Sequence, residues 1–363
     1  MTIESALVSD MSGSGLDNVV AAETILSHVD GNAGQLIIRG YHLAELASWT
    51  FEQVLELLWS GQTANTMTAT DIRMQLAGAR ERAFALIQPQ TRALTPVEAL
   101  RLQLSALSDT ETCPHYIMAV AAVPVFTAAT IRMKQGLAPI APDPSLGHSA
   151  DFLYMLSGVI PSVEQIKALD TYLTTVSDHG LNASTFTARV IASTEAGLFS
   201  SVIGALCALK GPLHGGAPGP VLDMLDAIGE KANIKTRLRD RLERGERLMG
   251  FGHRIYRVRD PRADVLKEAV SALQDGSDRI LFAGQVEQAA LALLEVKKPL
   301  RSLQTNVEFY TALVLEAVGF PRDSFTNVFA AGRMAGWTAH VLEQERSGRL
   351  IRPQSSYIGP SPR

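Results

Sequence analysis

Three histidines sit in short segments rich in glycine or flanked by acid: His179 in SDHGLNAST, His214 in GPLHGGAP and His253 in MGFGHRIYRVRDPRA. An imidazole beside unusual backbone can polarise a carbonyl or pass a proton, although each of the three alone reads more readily as a structural side chain. The segment around His253 adds Arg254, Arg257, Arg259 and Arg262. That density of guanidinium groups suits recognition of carboxylates or phosphates, or else forms a solvated basic face balanced by Asp260 and Asp264. Arg333 weakens the second reading. It stands in FTNVFAAGRMAGWTAHVLEQ, a small-residue apolar helix where burying an unpaired charge costs on the order of several kcal/mol and so demands an anionic partner. Glu308, in QTNVEFYTALVLEAVGFP, is the acid-base candidate, because a carboxylate near a helix N-terminus can be held ionised and take a proton from a weakly acidic carbon. The competing account is a capping box from Thr305 to Glu308, in which the carboxylate only bonds back to the chain.

The elements that must carry these groups are helical. Thr50 with Gln53, Thr95 with Glu98 and Ser162 with Gln165 have capping-box spacing ahead of apolar runs. Leu100, Leu104 and Leu107 make one stripe, Ile166, Leu169 and Leu173 another, and Ile234, Leu238 and Leu242 a third. Residues 196–209 are small and apolar nearly all round, which predicts a fully buried helix at the centre, and 116–131 reads as a buried helix of a soluble protein because it contains Pro124 and is too short for a bilayer. Strand signals are confined to one small hairpin, with DGNAG as the turn between ILSHV and QLIIR. The loop at 211–220, GPLHGGAPGP, holds His214 between glycines and prolines.

Composition bounds the function. Of 363 residues, 46% are hydrophobic and 19% charged, which sets disorder aside except at the ends, and the net charge of −4 announces no nucleic-acid or membrane partner. Cys113 and Cys207 form no C-x-x-C pair, and no histidine pair at i, i+4 brackets a glutamate, so no metal site is indicated. No P-loop or G-x-G-x-x-G occurs either. With no signal segment visible in the first fifteen residues, the expected compartment is the reducing cytoplasm.

Taken in order, DHGLNASTFTARVIAST, GPLHGGAP, MGFGHRIYRVRDPRA, TNVEFYTALVLEAVG and AAGRMAGWTAHVLEQ make the chain resemble the citrate synthase family over almost its whole length. The resemblance implies an all-α, two-domain fold with a small N-terminal hairpin. Residues 1–210 and 319–363 would form a large helical domain, and 211–318 a smaller inserted one. It implies condensation of acetyl-CoA with oxaloacetate and hydrolysis to citrate and CoA, with no metal or redox cofactor. By matching position, Glu308 resembles the base that removes a methyl proton, His214 the donor to the enol oxygen, and His253 the group that polarises the ketone. His179, Arg262, Arg333 and Arg352 resemble contacts to oxaloacetate, with Arg352 reaching the neighbouring site of a homodimer, and Arg257 and Arg301 are candidates for CoA. Most family members have aspartate where this chain has Glu308, though a similar branch carries NVEF. The 2-methylcitrate synthases share these motifs but use propionyl-CoA, and a non-catalytic citrate- or CoA-binding homologue is the alternative from another class.

Overall fold

The computed structural model describes residues 16, 19–214, 218–273, 277–298 and 303–360. Near the N-terminus β1 (Ser27–Asp30) and β2 (Gln35–Ile38) pair antiparallel. The Asp30 carboxylate closes the turn by accepting from the amides of Asn32 and Ala33, each at 2.9 Å. The expected hairpin is therefore present, and a two-residue strand, β3 (Tyr41–His42), adds to the other side of β2, too short to leave a period in the sequence. The turn does more than reverse the chain. A Cβ on Gly31 would overlap Ile255 O, and Gly31 O accepts from Arg257 N at 2.8 Å, so the hairpin props the loop that follows His253.

The rest is helical. In the first part of the chain run α1 (Leu43–Leu46), α2 (Phe51–Trp59), α3 (Ala69–Ala85), α4 (Pro96–Leu104), α5 (His115–Lys134), α6 (His148–Ser157) and α7 (Val163–Val176). They continue with α8 (Ala183–Ala192), α9 (Leu198–Leu209), α10 (Pro218–Ile228), α11 (Ile234–Glu243), α12 (Pro261–Ser271), α13 (Ser277–Lys297), α14 (Val307–Ala317) and α15 (Phe325–Ser347). The three capping boxes start α2, α4 and α7 as the spacing predicts.

Residues 117–131 of α5 are all buried, and α3, α4, α6 and α15 pack around them. By length and composition this helix is apolar enough to cross a membrane, but here it is a core element. It occupies the place expected of 196–209. That segment forms α9 from Leu198 onward and buries one side only, leaving Cys207 exposed and Ile203 and Ala208 half-covered. Small side chains in that helix thus do not mark full burial.

The contact that matters for the site is between α15 and the end of α7. Gly336 N donates to Ser177 O at 2.9 Å, and a Cβ on Gly336 would overlap Ser177 O and Asp178 Oδ1. One turn earlier Gly332 lies against Leu173 and Val176. Two glycines four residues apart bring the helices together at backbone distance and carry Arg333 with them. On the far side α12 and α14 pack on each other and on α7. We expect Gly336→Ala to lower unfolding stability by about 1–3 kcal/mol through overpacking. Gly284→Ala in α13, where nothing lies within 4 Å, should leave the urea midpoint unchanged or raise it; equal effects at both positions would contradict this packing.

Candidate active site

Arg262 and Arg333 are both buried, at 3% and 1% exposure, and are held in different ways. Asp260 caps α12, its Oδ1 accepting from Arg262 N at 3.1 Å, and the same carboxylate takes Nε and Nη2 of Arg262 at 3.0 and 2.9 Å. Its Oδ2 also accepts Val307 N at 3.1 Å, the first amide of α14. One carboxylate therefore satisfies orphan donors of two helix starts and neutralises a guanidinium. Arg333 has no such partner. Its Nε donates to Val176 O at 2.5 Å, its plane lies 4.9 Å from the Phe329 ring, and among the described residues no carboxylate pairs with it. Burial lowers its pKa to about 10, offset in part by Asp178.

His253 stands beside this pair. Its Nδ1 accepts from the amides of Ile255 and Tyr256 at 3.0 and 3.1 Å, which assigns the ring proton to Nε2. Nε2 lies 3.2 Å from Nη2 of Arg262; a guanidinium nitrogen only donates, so with the ring proton on Nε2 the two N–H groups face each other without a bond between them and converge on one acceptor oxygen. His179 packs against it with ring centroids 5.9 Å apart, and its Nε2 meets the Tyr256 hydroxyl at 3.1 Å. His214 approaches the start of α8, where its Nε2 accepts from Ser184 N at 3.3 Å and lies 2.8 Å from Ser184 Oγ. That leaves the Nδ1 proton of His214 free to donate.

All three imidazoles are held neutral. Burial, with the charge of Arg262 close by, pushes His253 down to about 4, and burial with Arg333 does the same to His214. His179 falls well below its ordinary value for the same reason, through burial and then both arginines.

Glu308 is the second residue of α14, and the capping box expected from Thr305 is absent. Asn306 is the cap, its Oδ1 accepting from Glu308 N at 3.0 Å, while Thr305 is turned inward to Glu287. The Glu308 carboxylate is thus released from backbone duty. Burial raises it to about 7 against the pull of Arg262 and Arg247.

The His253 and Glu308 segments are joined directly. Phe251 pairs with Thr305 as an antiparallel bridge, Gly252 N donates to Gln304 O at 2.7 Å, and Asn306 N donates to Gly250 O at 2.9 Å. Gly250 has φ +85 and a Cβ there would strike Phe309, so this approach requires glycine.

Several expected residues lie elsewhere. Arg352 is exposed and joins nothing in its own chain's site, the neighbouring backbone being tied by Ile351 N to Ser193 Oγ. Arg257 is exposed on the His253 loop, and Arg301 and residues 215–217 lie outside the described residues. Arg259 pairs with Asp264, as the balanced-face reading held, and also with the buried Glu287, which that reading did not include. Missed by the sequence reading were Asp260, weighed only as a counter-charge, and Ser184, inside a motif but without a charge to draw notice. Arg247 and Lys298, which line an open cleft with Leu248, Phe251 and Leu303, were also missed.

Known proteins resemble this chain along nearly its whole length. The sequence model of a family described as citrate synthase, C-terminal domain, matches residues 15–354. The chain belongs to the citrate synthase family. A citrate synthase of Haloferax volcanii is 38% identical over 95% of each chain. A 2-methylcitrate synthase of Mycobacterium tuberculosis is 36% identical, covering 95% of this chain and 90% of its own. Among solved structures, citrate synthase from Thermoplasma acidophilum in ternary complex with carboxymethyl coenzyme A and oxaloacetate superposes with TM-score 0.85 at 27% identity, over 96% of both chains. Members condense an acyl-CoA with a keto acid, and this all-α fold is theirs.

The raised Glu308 has a thermodynamic consequence. A carboxyl whose folded pKa of about 7 exceeds its unfolded value of 4.5 binds more protons when folded, so it costs stability progressively from pH 4.5 to 7 and fully above. Glu308→Gln should raise the melting temperature at pH 8 and leave it little changed at pH 4.5. A gain independent of pH would mean that Glu308 titrates normally.

Proposed function

We propose that this protein condenses acetyl-CoA with oxaloacetate and hydrolyses the product to citrate and CoA. The observation that carries this reading is Arg333, a buried guanidinium without a carboxylate, beside the converging donors of His253 and Arg262. Oxaloacetate supplies what these groups lack: a carboxylate for Arg333, and acceptor oxygens for the donors of His253 and Arg262. His179 is a further contact on the same molecule. The relative crystallised with oxaloacetate supports the assignment.

In this reading Glu308 removes a methyl proton from acetyl-CoA while the Nδ1 proton of His214 meets the thioester oxygen as it becomes an enol. A neutral imidazole is a better match for that oxygen than a cation would be, because it stabilises the enol without giving up its proton fully. The enol carbon attacks the ketone carbon, and the alkoxide formed takes its proton from the His253 side. Water then cleaves the citryl thioester, releasing CoA. Closure of the segment 211–318 over the remainder, 1–210 with 319–363, would keep water out until condensation is complete. Arg247 and Lys298, which line one cleft together with Glu246, support a site for the CoA phosphates there, and Arg257 and Arg301 are the further basic candidates for CoA.

The assembly in this reading is a homodimer. Support comes from the half-exposed apolar side of α9 and from the exposed C-terminal segment with Leu350, Tyr357 and Ile358, which would take Arg352 to the neighbouring site. No redox cofactor or metal enters the reaction. A second reading, 2-methylcitrate synthesis from propionyl-CoA, is favoured by the relatives of that name at 35–36% identity. One methylene in an apolar pocket is worth only about 1–3 kcal/mol, so both acyl groups are expected to be used, at different rates.

The test is release of free thiol from acetyl-CoA and propionyl-CoA, with and without oxaloacetate. Faster oxaloacetate-dependent release from acetyl-CoA is expected, and the reverse order would favour the second reading. Glu308→Gln should lower kcat by about 10²- to 10⁴-fold. In the wild type kcat/KM should rise with pH through about 7, since the deprotonated carboxylate is the base. No release with either substrate, from protein that still binds oxaloacetate in calorimetry, would instead point to a binding homologue.

A further inference from the structure

Glu287, on α13, lies outside the constellation of histidines and arginines, yet it is 3% exposed and saturated with donors. Its Oε1 accepts Thr305 Oγ1 at 2.7 Å and Arg259 Nη1 at 2.9 Å. Its Oε2 accepts the Tyr310 hydroxyl at 2.6 Å and Lys267 Nζ at 3.0 Å. A carboxylate has about four acceptor positions, and all are used. The donors are not scattered. Thr305 precedes Glu308 by three residues and Tyr310 follows it by two, so Glu287 grips the start of α14 on both sides of the proposed base. Arg259 ends the loop that carries His253, and Lys267 belongs to α12, the helix of Arg262.

We propose that Glu287 is a positioning residue for Glu308. By holding Thr305 and Tyr310 together with Arg259, it fixes the carboxylate of the base relative to the loop bearing His253. The inference rests on the reading of Glu308 given above. Two cations alone would satisfy a buried carboxylate, and the two hydroxyls are what direct it to this task. Burial alone would raise the Glu287 carboxyl, but the hydrogen bonds from Tyr310, Thr305 and Lys267 with the charge of Arg259 outweigh that and keep it below its ordinary value. It is therefore ionised whenever Glu308 must act, and can serve as a fixed acceptor. Tyr310 and Thr305 are themselves buried, so the hydroxyl side of the grip is shielded from water, while Lys267, its Nζ 5.5 Å from the Tyr310 ring centre, reaches in from the surface.

Glu287→Gln tests this, because in either amide orientation the NH₂ group would face one of the two cations and release one side of the grip. Hydrogen exchange of the amides in 304–310 should speed up in this variant. Its kcat should fall about tenfold or more, as small misplacements of reacting groups do, while oxaloacetate affinity by calorimetry stays within about twofold. The kinetic isotope effect with methyl-deuterated acetyl-CoA should rise, since proton removal is the step made slower. Thr305→Val, which removes one donor and no charge, should move the same quantities in the same direction by less, and it stands in if Glu287→Gln does not fold. Unchanged exchange in 304–310, or a loss of kcat matched by weaker oxaloacetate binding with no rise in isotope effect, would overturn the proposal. If the wild type releases no thiol at all, the assigned reaction fails, and the role of Glu287 is then decided by exchange alone.

Discussion

Two guanidinium groups buried side by side, one paired and one not, set the electrostatics of this molecule. Taking Arg262 and Arg333 out of water is unfavourable unless something negative meets them; Asp260 pairs directly with Arg262, while among the described residues Arg333 has only the more distant charge of Asp178. The uncompensated charge of Arg333 has two effects. It makes the cleft a site for a carboxylate, and it resists adding further positive charge nearby. His179, His214 and His253, lowered first by burial and then by the nearby arginine charges, remain neutral donors where an ordinary histidine would be partly cationic. A neutral imidazole in a fixed tautomer suits an oxygen that gains charge during reaction, because the ring does not lose its proton before it is needed.

Placement of those groups depends on backbone rather than on side-chain packing alone. Glycines 332 and 336 let α15 lie against α7, which seats Arg333 on Val176 O. The short bridge between Phe251 and Thr305 joins the His253 loop to the start of α14. Asp260 then spans the starts of α12 and α14, and the N-terminal hairpin supports the loop from the other side. Apart from Arg333, which sits within α15, the functional groups thus sit at the ends of elements or in loops, where orientation is retained while the helices provide rigidity.

Much of this was legible in the sequence. The capping boxes and apolar stripes gave the helices, and the burial of Arg333 was legible from one cation in an apolar helix. The resemblance to citrate synthases linked segments that periodicity could not bring together. What was not legible was long-range. Thr305 and Glu308 have the spacing of a capping box, but Glu287 draws Thr305 away and Asn306 takes its place, a contest between a local and a tertiary hydrogen bond. Residues 196–209 looked fully buried because composition cannot distinguish the core from a half-exposed apolar face. Arg259 and Arg262 are three residues apart and of one type, yet one serves an ion-pair network and the other faces the histidines.

The neutrality of the three histidines, set by burial and by the arginines beside them, can be measured without any turnover. Protein labelled with ¹⁵N in its histidines, with resonances assigned by single substitutions, would be titrated from pH 8 downward without substrate. The account predicts that His253 and His214 keep neutral-tautomer shifts until about pH 4, with the proton on Nε2 of His253 and on Nδ1 of His214, and that His179 resists protonation likewise. Titration of these residues near 6.5, or the opposite tautomers, would contradict it.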